Sequence, residues 1–265
     1  MSFSGDVRAA LPPALHLPDP IARTLDWLEA QGHGGTFTHG GEPFLGIYPP
    51  DLRDAPGASF VLFHHEAGPP FHDPPAEVTS RIASIAKIAG DGGTLALWAD
   101  ASDTQHCVVF NHGIPHVLTD DPLVALQFLA IGYAEPGALL DPTMTARDQA
   151  HHDMADPPLL PAAFRAFLEA TFHVTIPQRA SELGITIPPN TAPDPIRDWL
   201  DEMIPPPDPA TIPGMTAENP YMITKELREI LGDEGVAILR ESYPHVIEPH
   251  VIEPHLNEPH LNEDE

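Results

Sequence analysis

The sequence predicts an α+β fold, a mainly antiparallel twisted sheet packed with helices, with extra helices toward the C-terminus and a disordered tail. Three observations carry this expectation. Short apolar runs of strand length crowd residues 44–118, amphipathic helical patterns bracket them, and 34 prolines in 265 residues keep every element brief by fixing φ and removing amide donors.

Taken in order, Asp19-Pro20 reads as an N-cap followed by a first-turn proline. Ile21, Leu25 and Leu28 repeat at helical spacing, and Gly32 closes the helix. A glycine-rich connection then leads to two extended candidates, Phe44 to Tyr48 and Ala58 to His64, divided by Pro49, Pro50 and Pro56 and expected to be neighbours. From Pro75 to Ala89, the positions Val78, Ile82, Ile85 and Ala89 share one helical face, with Gly90 in place for a left-handed C-cap. Thr94 to Trp98 and Cys107 to Phe110 flank a polar turn at Asp100 to Thr104, which predicts a hairpin apolar enough to lie in a covered sheet. Asn111, Gly113 and Pro115 supply the next turn, and Val117 and Leu118 a third short strand.

Asp121-Pro122 repeats the cap-plus-proline signal ahead of Leu123 to Ile131, a run so apolar that its helix must be buried, with Gly132 as terminator. Further helical patterns run from Ala162 to Phe172, Pro195 to Met203 and Thr224 to Arg240. The domain organisation that follows is an α+β domain over 1–140, a helical extension packed on it over 141–204, a proline-rich linker at 205–220, a short helical segment at 221–243 and a tail at 244–265. In that tail Pro-His-Val-Ile-Glu occurs twice and Pro-His-Leu-Asn-Glu twice, a low-complexity repeat expected to be disordered.

Twelve Lys and Arg stand against 39 Asp and Glu, a net charge of −27. Such a field repels phosphate backbones and anionic lipid, and steers in basic proteins, so neither nucleic acid nor a membrane is an expected partner. Between Lys87 and Arg147 there is no basic residue, while Asp91, Asp100, Asp103, Asp120, Asp121, Glu135 and Asp141 fall there. A single cysteine forms no internal disulfide, and the start of the chain lacks a basic stretch leading into an apolar run; the reduced cytosol is the expected location.

Catalytic signatures are missing: there is no phosphate loop with Lys-Ser/Thr, no Gly-x-Ser-x-Gly elbow and no His-Glu-x-x-His helix. Gly90, Gly92 and Gly93 precede a strand, whereas a dinucleotide site needs them between a strand and a helix. Cys107 beside His106 evokes a thiolate with its base, but adjacent strand residues point to opposite faces, and a lone cysteine in an apolar strand reads as a core hydrophobe. His64, His65, Glu66, His72 and Asp73 form one cluster of metal-ligand types, and His151, His152 and Asp153 another; neither has the spacing of a closed zinc site, and surface or turn histidines are expected. The tail histidines His245, His250, His255 and His260 would stand roughly 15 Å apart in an extended proline-fixed chain. Weak, labile metal binding helped by Glu248, Glu253 and Glu258 is the functional reading, and drift of a tandem repeat the plainer one.

Residues 82–137 resemble domains of the SUKH superfamily of the Smi/Knr type. The stretch Ala89-Gly90-Asp91-Gly92-Gly93-Thr94-Leu95-Ala96-Leu97-Trp98 is similar to the glycine turn and first central strand of such domains, and Cys107-Val108-Val109-Phe110 to the paired strand. Phe128-Leu129-Ala130-Ile131-Gly132-Tyr133 is similar to the end of their closing helix, and residues 164–177 and 194–200 to segments that follow the domain in bacterial members. The N-terminal third and the residues after 204 depart from the pattern, which leaves the domain boundary open. The resemblance implies a fold without catalytic residues or a required cofactor, and a protein partner: a toxin domain in bacterial immunity proteins, or a regulatory assembly in eukaryotic relatives. An acidic immunity protein would be steered to the basic groove that a nuclease-type toxin carries for phosphate, and Asp91, Asp100, Asp103, Asp120 and Asp121 are the expected partner-binding face.

Overall fold

The computed structural model describes residues 2–36, 41–65, 68, 70, 74–90, 92–111, 113–189 and 192–204, and residues 1–205 form one compact unit. Seven strands make a single antiparallel sheet whose spatial order follows the chain: β1 (Gly34–Thr36), β2 (Pro43–Gly46), β3 (Leu62–His64), β4 (Ile82–Lys87), β5 (Thr94–Ala99), β6 (Gln105–Asn111) and β7 (Ile114–Thr119). With seven α-helices among the described residues, this is the α+β architecture that the sequence predicts. None of those helices is long and apolar enough to cross a membrane.

Side chains alternate across the central strands, and both faces are covered. Leu95, Leu97, Cys107 and Val109 enter the larger core, together with α1 (Phe3–Ala10), α2 (Asp19–Ala30), α4 (Pro122–Ala130) and α6 (Ala162–Phe172). Ala96, Trp98, Val108 and Phe110 enter a smaller core on the other face, closed by Val78 of α3 (Ala76–Arg81) and by Ile196 and Leu200 of α7 (Pro195–Met203). α4 is apolar apart from Gln127 because it sits between the sheet and the C-terminal segments, with Ala125, Leu126 and Leu129 fully buried and Gln127 donating to the Thr175 carbonyl. Asp121 caps it by accepting from the Leu123 amide (2.8 Å), and Gly132 follows it at φ 95°, as their sequence positions predict.

Three local expectations are corrected. Asp19 does not cap α2: the N-cap is Pro18, and Asp19 lies in the first turn, 3.8 Å from Arg23. The helix expected to reach Ala89 stops at Arg81, and Ile82–Lys87 is β4, paired with both β3 and β5. Accordingly Gly90 caps no helix; the left-handed residue of that connection is Gly92, φ 107°. The cause is burial on both faces, because a strand between two cores carries a run, apolar but for Ser84, that matches the helical period as well as the strand period.

Elements without a clear sequence signal also form. α1 is tied to α2 by the Ser4 hydroxyl, which donates to Asp26 (2.5 Å). α5 (Ala146–His152) opens on a reciprocal capping box between Thr145 and Asp148. At the open side of the sheet, β7 is an edge strand whose outward amide at Val117 is taken by the Asp194 carboxylate (3.2 Å). Pro115, two residues earlier and therefore also facing outward, has no amide to offer, so the edge is blunted. The linker, the 224–240 helix and the repeat tail lie outside the described residues.

Candidate functional site

The turn between β5 and β6 carries two of the carboxylates singled out in the sequence, Asp100 and Asp103, and Asp120 and Asp121 follow the end of β7 beside it. Asp100 closes it: one carboxylate oxygen accepts from the Ser102 amide (2.8 Å), the Ser102 hydroxyl (2.8 Å) and the Thr104 amide (2.9 Å). Partial burial raises the Asp100 pKa, but these bonds and one from His106 outweigh it and hold the carboxyl at about 2. Asp103 supplies the left-handed residue, φ 61°, a conformation that a short polar side chain tolerates better than most.

His106, opposite Trp98 in the hairpin register, joins this turn to the end of β7. Its Nδ1 is 2.6 Å from Asp120 and its Nε2 3.3 Å from Asp100, so only a doubly protonated ring donates to both carboxylates at once. The ring lies 5.0 Å from Trp98, which in turn packs on Trp199 of α7 at 5.6 Å. Arg81, at the end of α3, donates to the Asp100 carbonyl (2.7 Å) and to Asp103 (3.0 Å). Asp121 follows Asp120 directly and spends one oxygen on its helix cap.

Asp100, Asp103, Asp120 and Asp121 therefore stand at one end of the sheet. Asp91 lies outside the described residues, and its neighbours Gly90 and Gly92 are at the opposite end of β5. Asp103 and Asp120 project, with side chains 76% and 73% exposed, whereas Asp100 is drawn into the turn. The charges around them are unevenly satisfied. Arg81 offsets Asp103 through their ion pair (3.0 Å), whereas Asp120 meets the His106 ring.

The other candidates separate cleanly. Cys107 is buried in the larger core while His106 packs on the opposite face, and burial, with Asp121 and Asp120 adding to it, pushes the thiol up to about 12. No thiolate is available there at neutral pH. His64 bonds Ser84 (3.0 Å), and His152 bonds its neighbour Asp153 (2.9 Å); Glu66, His72 and Asp73 lie outside the described residues, as do the four tail histidines. Among the described residues no group of three or more His, Cys, Asp or Glu is placed to hold a metal ion.

Sequence reasoning missed His106 as the link between two carboxylates, because its contacts depend on the hairpin register and on a strand end fourteen residues away. It also missed a cleft beside β7 whose polar residues come from distant parts of the chain. No family model matches this chain, and neither does any curated protein or solved structure.

Proposed function

We propose that this protein is a non-catalytic binding module of the immunity type, which neutralises a basic, nuclease-type toxin domain by laying its acidic turn over the groove that the toxin uses for phosphate. The observation that carries the reading is the pair of exposed carboxylates, Asp103 on the β5–β6 turn and Asp120 at the end of β7, held beside Asp100 and His106, with the turn's backbone tied to the Asp100 carboxylate by the Ser102 and Thr104 amides. A pre-ordered acidic turn loses little conformational freedom on docking, and a chain of net charge −27 accelerates encounter with a basic partner. Trp199, partly exposed and packed at a tilt on Trp98 beside the turn, offers an aromatic contact of the kind that anchors interfaces. The resemblance of residues 82–137 to SUKH domains supports the same reading.

The test is capture of partners by the tagged full chain from its source lysate at low and high salt, followed by purified binding and a toxicity-rescue assay with the protein recovered. The expected partner is a single basic effector whose toxicity is relieved by this chain. Its affinity should fall at least tenfold in the Asp103→Asn/Asp120→Asn double variant and should weaken steeply with salt. A captured protein that is not toxic would favour a regulatory scaffold of the same fold. Capture abolished by a chelator and by deletion of residues 244–265 would favour metal handling by the tail, and either result overturns the immunity reading.

A further inference from the structure

At the end of α4, where the starts of α5 and α6 come together, a cleft of about 380 Å³ opens. Its volume lies within the range of small-ligand sites, roughly 300–1,000 Å³. Its apolar lining comes from Ile131, Pro157, Pro158 and Leu160, and the Leu160 side chain is left 48% exposed. Its charged lining is Arg147 of α5 and Arg165 of α6, and among the described residues no Asp or Glu lines it.

These two cations differ from others in the molecule. In a chain with 12 Lys and Arg against 39 Asp and Glu, a carboxylate partner is easily found: Arg23 lies 3.8 Å from Asp19, Arg81 3.0 Å from Asp103 and Arg179 3.7 Å from Glu182. The Arg147 side chain is exposed and makes no hydrogen bond or ion pair with any described residue. Asp148, next in the chain, feels its charge without pairing with it. Arg165 donates through Nη1 to the carbonyls of Ala130 and Ile131 (both 3.4 Å) and through Nη2 to that of Ile176 (3.3 Å). These long bonds to neutral acceptors fix the guanidinium against the end of α4 and leave its charge without a carboxylate. Its Nε–H has no partner among the described residues and is not shut off from water. A cation held in place with an N–H still to donate is the arrangement that receives a carboxylate.

The kind of anion follows from the lining and from the field. A bare phosphate or sulfate would leave the apolar lining uncovered, and each further negative charge is opposed by a chain of net charge −27. A single carboxylate on an apolar body uses both parts of the cleft against the least repulsion. We infer that the cleft binds a small organic monocarboxylate, its oxygens on the Arg165 Nε–H and beside Arg147, its apolar body against Pro157, Pro158 and Leu160. The site does not rest on the acidic turn: Asp121 caps the start of α4, whereas the Arg165 bonds to Ala130 and Ile131 stand at its end.

The test uses the full chain with benzoate and 4-methylpentanoate as probes and with benzamide and inorganic phosphate as controls, followed through the arginine Nε–H resonances at pH 6.5. The Arg165 signal is identified by its loss in Arg165→Lys. The expected result is a saturable shift of that signal with at least one carboxylate, and binding of both controls at least tenfold weaker. Binding should also be at least threefold weaker in Arg147→Gln, an exposed position, but unchanged in Asp103→Asn/Asp120→Asn. Should Arg165→Lys fail to fold, nuclear Overhauser contacts between probe protons and the Leu160 methyl groups in the unaltered protein decide the matter. Absence of any shift up to the solubility limit of both carboxylates, equal binding of benzamide or phosphate, full binding by Arg147→Gln, or no such contacts would overturn the assignment.

Discussion

Single side chains in this protein are set by where burial and hydrogen bonds place their charge. Cys107, with its pKa pushed up to about 12, should be inert: at pH 8 the native protein is expected to release no thionitrobenzoate from Ellman's reagent within an hour, and one equivalent after unfolding in urea. Rapid native-state reaction would contradict the buried placement. Asp100 behaves in the opposite sense. Its carboxyl is held at about 2, below the ordinary 3.8, so the stability it adds is fully present above pH 4 and is lost as pH falls through about 2. Asp100→Ala is therefore expected to cost about 1 kcal/mol at pH 7, modest because the turn faces solvent. The gap in melting temperature between variant and parent should narrow between pH 4 and pH 2; a gap independent of pH would mean that the turn does not use the charge. Gly57 shows a backbone constraint of the same local kind. At φ 75° it lies against Pro157, whose carbonyl oxygen would be 2.0 Å from any added Cβ, so Gly57→Ala should lower the melting temperature by several degrees.

At the scale of elements, the segment after α4 is fastened by one phenol. Tyr133 is fully buried; its hydroxyl donates to the Met144 carbonyl (2.8 Å) and accepts from the Ala180 amide (3.0 Å), which joins two connections to the end of α4. Tyr133→Phe keeps the ring but strands both backbone groups, an expected loss of about 1–3 kcal/mol measurable by urea titration. Parental stability in that variant would mean that water replaces the hydroxyl. The elements with sharp termini were legible in the sequence. The bounds of α6 and α7 match the expected ones, since Phe164 and Leu168 face inward on one and Ile196 and Leu200 on the other. The β5–β6 hairpin was legible too, because Asp100 to Thr104 is a turn by its own chemistry. β4 was not, since Ile82, Ala83, Ile85 and Ala86 are buried whichever period is assumed. β1 has only Gly34, Gly35 and Thr36, which carry no pattern and become a strand only because β2 lies alongside. At the candidate site the sequence showed the acidic residues but not their arrangement, because His106 acquires its partners through pairing. The polar residues of the cleft beside β7, Asn111, His116 and Arg197, carried no signal at all, being brought together only when α7 folds back on β7.

Across the described residues, the flank of the sheet is covered late in the chain. α7 covers the smaller core, and Asp194 occupies the outward amide of β7. Ending the chain at Pro193 should therefore leave Trp98, Val108 and Phe110 under a thin cover beside an unoccupied edge. Light scattering is expected to find oligomers in the truncated protein at concentrations where the longer chain does not form them. An unassociated, folded truncation would show that Pro115 alone suffices to guard the edge. The same feature sets a timetable for synthesis. Because neighbouring strands are also consecutive in the chain, the sheet can zip as it emerges and is complete at Thr119. The residue that seals its flank is about 75 positions further on, which at 5–20 residues per second is roughly 4 to 15 s of translation. For that interval a nascent chain carries a finished but unsealed sheet, and neighbouring ribosomes on one message would hold several such edges close together. Slow codons between Thr119 and Asp194 would lengthen this exposure, so expression yield should depend on the translation rate of that stretch more than on any other.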